Sequence, residues 1–198
     1  MPVIPEASLL NGPAFRLLRA LAELARLLGW QRVSMFLLRR ALVLRPFDAE
    51  AAARWAEGLF QTGQKGAAIN ALQQLLKDHP GRASSWFDLA YWLESAGRHG
   101  ESEPAFRAAL DLAPDMDRAW YGLALVHIRE QRWGDASAAL RHTTRLQPRS
   151  HLAWYQMGKV LMKMGHAEQA LEVIRHLRAL EPQVAARLAD ETGLGALV

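Results

Sequence analysis

The sequence predicts an all-α fold, a right-handed superhelical solenoid of five helix-turn-helix units closed by a C-terminal capping helix. Three observations carry this expectation. Pro46, Pro80, Pro114, Pro148 and Pro182 are spaced 34 residues apart. Gly29, Gly63, Gly97 and Gly165 keep the same spacing, with Gln131 at the missing place. Small residues return in register at Ala22, Ala56, Ala90, Ala124 and Gly158 and again at Ser34, Ala68, Ser102, Ala136 and Ala170. Large apolar residues return at Leu21, Trp55, Leu89, Leu123 and Met157 and at Leu38, Leu72, Phe106, Leu140 and Ile174. A fixed period of this length marks a repeat array.

The units tile residues 15–48, 49–82, 83–116, 117–150 and 151–184. Within each, apolar residues of the first half recur at i, i+3, i+4 and i+7, as in Trp120, Leu123, Ala124 and His127, which is one face of a helix. The glycine ends that helix by taking a positive φ, a second helix follows, and the proline stops it. Small residues let paired helices approach, and neither helix of a pair buries its stripe alone, so pairs stack. Residues 1–14, with Val3, Ile4, Leu9 and Leu10 among three prolines, are expected as a separate strand or short helix laid into a groove. The first unit has Leu18 where the last three carry an early tryptophan. Trp92 is expected in the core with local repacking, and Pro104 is expected to delay or bend its helix. Residues 185–198 form a cap and tail, the capping helix running from Gln183 to about Thr192 with Val184 and Leu188 inward and Arg187, Asp190 and Glu191 in water.

With this period the chain resembles the tetratricopeptide repeat (TPR) family, on Trp86-x-x-Leu89-Ala90-x-x-Leu93, Ser102-x-x-x-Phe106 and Pro114. The next copies run Trp120-x-x-Leu123-Ala124-x-x-His127 with Ala136, Leu140 and Pro148, and Trp154-x-x-Met157-Gly158-x-x-Leu161 with Ala170, Ile174 and Pro182. The resemblance implies a non-catalytic protein–protein interaction module, an adaptor, scaffold or chaperone, whose first helices line a concave groove. A family subset clamps the terminal carboxylate of heat-shock chaperones. The positions of that clamp fall here on Arg19, Glu23, Arg54, Ser84 and Asp88 or, one unit on, Ala53, Glu57 and Asp88, and neither frame supplies its asparagines. The clamp is not expected.

Composition narrows the chemistry further. There is no cysteine among 198 residues, which removes disulfides, thiolate metal sites and thiol nucleophiles and fits the cytoplasm. Arginines interrupt every apolar run, so no membrane span is expected, and the first residues show no secretory signal. The net charge of +4 rests mostly on arginine, 20 of 24 basic residues, a weak pointer to a bacterial source. His79, His99, His127, His142, His151, His166 and His176 show no metal-ligand spacing, and His127 reads as a satisfied packing histidine. No glycine-rich phosphate loop or nucleophile elbow occurs. No enzyme activity, metal or cofactor is expected.

The expected groove takes its residues from the register of the first helices. Phe87, Tyr121 and Tyr155 align at one place, and Glu57, Tyr91, Leu125 and Lys159 four residues on. Phe60, Glu94, Ile128, Arg129, Met162 and Lys163 follow near the helix ends. Tyrosine is enriched in binding hot spots. Glu57, Asp88 and Glu94 make the N-terminal part acidic, while Arg129, Lys159 and Lys163 make the C-terminal part basic. A peptide or helix of another protein is therefore expected there, acidic end towards the C-terminal units. The alternative is a nucleic-acid-binding solenoid using arginines and groove aromatics. The acidic middle unit and the arginines on second helices, such as Arg141 and Arg175, speak against a continuous stripe. Self-association through the groove or the ends is a third possibility.

Overall fold

The structure is a computed structural model that describes the backbone of residues 6–195 and the side chains of residues 12–195. These residues form helices without strands: α1 (Glu6–Leu27), α2 (Gln31–Leu44), α3 (Ala49–Gln61), α4 (Lys65–Asp78), α5 (Ala83–Ser95), α6 (His99–Leu112), α7 (Asp117–Arg129), α8 (Trp133–Leu146), α9 (His151–Lys163), α10 (Ala167–Leu180) and α11 (Pro182–Thr192). Two compact units are distinguished, one ending at Arg98 and the other beginning at His99. Among the described residues no helix is long and apolar enough to cross a membrane.

The periodic glycines act as the sequence requires. Gly29, Gly63, Gly97 and Gly165 have φ of 75°, 83°, 77° and 80°, and Gln131 takes φ 58° at the same place. Each turn then closes on the helix before it. The residue after the turn donates its amide to the carbonyl five residues before it, as in Trp30 to Ala25, Gln64 to Leu59, Arg98 to Leu93, Arg132 to His127 and His166 to Leu161, all at 2.8–2.9 Å. This satisfies helix carbonyls that have no partner of their own.

At the other end of the period a second device recurs. The indole Nε1 of Trp86, Trp120 and Trp154 donates to the carbonyls of Pro80, Pro114 and Pro148, each at 2.8 Å. The early tryptophan thus ties a first helix to the end of the preceding pair, and Leu18 has no such bond to give.

Ala56, Ala68, Ala90, Ala124 and Ala136 are all fully buried, as their register demands. Three glycines show how tight the helix contacts are. An added Cβ would lie 2.7 Å from Met35 at Gly58, 2.4 Å from the Phe106 ring at Gly122 and 2.5 Å from Leu188 at Gly158. The last contact seats α11 on α9, with Ala185, Leu188 and Ala189 buried in the core of the C-terminal unit.

Two local expectations are corrected. Residues 6–14 do not form a separate segment: they open α1, which runs unbroken through Pro13. Residues 1–5 lie outside the described part. Pro104 does not delay its helix: α6 starts at His99 and runs through Pro104 to Leu112, the ring leaving the Gly100 carbonyl without its helical N–H partner. Glu191 on α11 is exposed as expected, and it also meets Tyr155 and Lys159 of α9.

Candidate functional site

In the N-terminal unit the predicted site residues lie on α3 and α5. Phe60 stacks on Trp92, centroids 4.8 Å apart and planes 9° apart, and tilts against Tyr91 at 6.2 Å. Trp92 is 5% exposed and Tyr91 56%, so one ring anchors the contact and the other faces solvent. Phe87, Asp88 and Glu94 are half-buried on the same helix. Glu57 is not free acid: Arg54 sits 3.4 Å from it, 3.2 Å from Glu50 and 3.5 Å from Glu23. Burial opposes the charge on Arg54, yet these three carboxylates raise its pKa above the ordinary guanidinium value. The acidic lining expected at this end is thus largely spent within the fold.

The C-terminal unit places Tyr121, Leu125 and Ile128 half-buried on α7, with Arg129 exposed at the helix end. Tyr155 and Met162 are half-buried on α9, and Lys159 and Lys163 are exposed. Burial, opposed by a hydrogen bond with Gln156, pushes the Tyr121 phenol up, and that bond links α7 to α9. Tyr155 is drawn towards the cap: its hydroxyl donates to Glu191 at 2.6 Å, and Arg187 and Lys159 each lie 5.4 Å from its ring centre. Glu191 also accepts from Arg187 at 2.9 Å and pairs with Lys159 at 3.5 Å. The Tyr155 and Arg187 hydrogen bonds hold the Glu191 carboxyl down to about 2.

Sequence spacing missed a second polar cluster. Glu103 on α6, His127 on α7 and Glu130 bring ligand-type atoms within 4.8 Å of one another. The Arg132 guanidinium joins them, donating to Glu103 and to Nδ1 of His127 at 2.6 Å, with the carboxylates of Glu130 at 2.8 Å and Asp135 at 3.8 Å as ion pairs. Burial first, and then Arg132, lowers the His127 pKa, and because a guanidinium can only donate, Nδ1 is the acceptor in this contact. Burial works against ionisation of Glu103, but hydrogen bonds from Arg107 and Arg132 lower its pKa. The cluster already has its cation. Its members are scattered over two helices and a turn, so no spacing rule finds them, though a histidine at a packing position was the one available signal.

Helix pairs repeated at a fixed period, with aromatic and charged side chains shown on the first helix of each pair, define a helical-repeat scaffold. Family models described as tetratricopeptide repeat match residues 53–117, 93–154 and 151–183, and the chain belongs to that family. No curated protein matches the sequence significantly. Among solved structures, MamA from Desulfovibrio magneticus RS-1 superposes with a TM-score of 0.79 at 18% identity, over 87% of this chain and 97% of that one. Another MamA structure gives 0.78 at 16% identity, over 92% and 95%. YrrB, described as a TPR protein with an unusual peptide-binding site, gives 0.76 at 16% identity, over 87% and 90%. At such identities these likenesses show the fold.

Proposed function

We propose that the protein is a non-catalytic, cytoplasmic adaptor, scaffold or chaperone that holds a peptide or helix of a partner protein on the first helices of its five units, residues 15–184. One observation carries this reading. On α7 and α9 the apolar residues Tyr121, Leu125, Ile128 and Met162 stay half-open while Arg129, Lys159 and Lys163 stand exposed beside them. Such a strip fits a segment with apolar anchors and acidic flanks, since rings in a partly formed pocket give affinity and rim charges speed the encounter. That YrrB is described as binding peptide supports the same use of the fold.

The reading is tested by selecting peptides from a random display library on the full chain. Selected peptides are expected to be apolar with an acidic end, and Tyr121→Ala is expected to weaken them by about thirtyfold, the effect of a hot spot of about 2 kcal/mol. Peptides that bind this variant as well as the wild type would move the site elsewhere. Nucleic acid as the true ligand would show itself by a steep linear loss of affinity in log salt.

A further inference from the structure

The first helix pair shows an apolar surface that later pairs do not. On α1, Leu17 and Leu24 are 60% and 53% exposed, whereas the residues in the same register of α3, Ala51 and Gly58, are buried. On α2, Phe36 and Val43 are 57% and 71% exposed. Their counterparts are Asn70 and Lys77 on α4, Pro104 and Asp111 on α6, Ala138 and Arg145 on α8, and Glu172 and Ala179 on α10, so among the described residues only α2 carries two large apolar side chains at these places. Trp30 before α2 and Phe47 after it are exposed as well, which puts aromatic rings at both ends of a helix of about 20 Å.

The first pair is also basic. Arg16, Arg32, Arg39 and Arg40 are exposed and pair with no carboxylate among the described residues, unlike Arg19, Arg26 and Arg54. A hollow of about 320 Å³ on α2 is lined by Phe36, Arg39, Arg40 and Val43. Arg40 lies 5.4 Å from the centre of the Phe36 ring, in the midst of the apolar stripe. Two guanidinium groups over an apolar floor suit a ligand that is anionic at one end and hydrocarbon at the other.

We propose that the first helix pair docks on an anionic phospholipid bilayer, with Phe36 and Val43 entering the headgroup–acyl boundary and Arg39 and Arg40 taking lipid phosphates. Charge and apolar exposure point to the same occupant. Bulky apolar residues beside uncompensated arginines are the chemistry of interfacial membrane binding, and arginine meets phosphate in a bidentate fork. A second copy seated on this face would bring like charges together and desolvate Arg40 with nothing opposite it. An acidic helix of a partner protein would also satisfy the arginines of α2, but it would give no binding to protein-free vesicles.

The test is co-sedimentation of the full chain with vesicles of equimolar phosphatidylglycerol and phosphatidylcholine, against phosphatidylcholine alone, in about 0.1 M salt. Binding to the anionic vesicles only is expected, weakened at least about tenfold by Phe36→Asp, by Arg39→Gln with Arg40→Gln, and by about 0.5 M salt. All three side chains are exposed, so both variants should keep wild-type helicity, and should either misfold the other decides. Tyr121→Ala should bind the vesicles like the wild type, which separates this face from the first-helix strip. The proposal is overturned if anionic vesicles are not bound, if neutral vesicles are bound equally, or if both variants bind unchanged. It is also overturned if sedimentation velocity finds a dimer that Phe36→Asp dissolves while vesicles are ignored.

Discussion

Replacing Gln131 with glycine should stabilise the protein, although it removes a side chain. Gln131 holds φ 58° where the other four turns use glycine. A side chain in the left-handed region costs roughly 1–2 kcal/mol, and glycine's greater freedom in the unfolded chain takes back about 0.5–1 kcal/mol. The Gln131 side chain is exposed, so no packing is lost with it. The bonds that close the turn are backbone bonds, Gln131 N to Ile128 O at 3.1 Å and Arg132 N to His127 O at 2.9 Å, and they survive the change. The net expectation is a gain of about 0.5–1 kcal/mol, or roughly 1–4 °C in melting temperature for a chain of this size. Thermal unfolding followed by circular dichroism measures it, and native-state hydrogen exchange at the Arg132 amide tests whether the gain is local. The converse variant, Gly165→Gln, should lose about as much. If Gln131→Gly melts no higher than the wild type and Gly165→Gln costs nothing, the turn account is wrong.

Other perturbations follow from the same geometry. Ala124→Leu forces three carbons into a fully buried helix contact and should cost about 1–3 kcal/mol in urea unfolding; an unchanged midpoint would deny the register. Trp154→Phe removes the indole bond to Pro148 and should cost about 0.5–1.5 kcal/mol, whereas no loss would leave that tie without energetic weight. Glu191 has a folded pKa depressed to about 2, so the stability it contributes is complete above its unfolded value of about 4.3 and is lost as pH falls towards 2. Glu191→Gln should therefore flatten the acid limb of the stability profile in that window, and an identical limb in both proteins would refute the assignment.

Spacing revealed the helix pairs because every turn repeats one backbone requirement. A left-handed residue at 34-residue intervals and a proline at the same period leave marks that need no tertiary knowledge, and the buried alanines follow from them. Place on a first helix was legible too. What a side chain meets there was not, because it depends on partners far along the chain. Arg54 on α3 reaches Glu23 of α1 besides Glu50 and Glu57 of its own helix, and Glu191 reaches back to Tyr155 and Lys159 from the cap. The cluster around Arg132 likewise joins residues of α6, α7 and the following turn. The start of α1 was misread for a local reason: prolines suggested a break, yet the helix continues through Pro13.

Site-specific photocrosslinking in living cells tests whether a partner protein is held on the first helices. A photoreactive phenylalanine analogue is placed at Leu125 or at Lys163 on the first helices, and at Arg141 or Arg175 on exposed faces of second helices. The account predicts one protein partner crosslinked from both first-helix sites and from neither second-helix site. Crosslinks to that partner from Arg141 and Arg175 alone, or to nucleic acid from the first-helix sites, would contradict it.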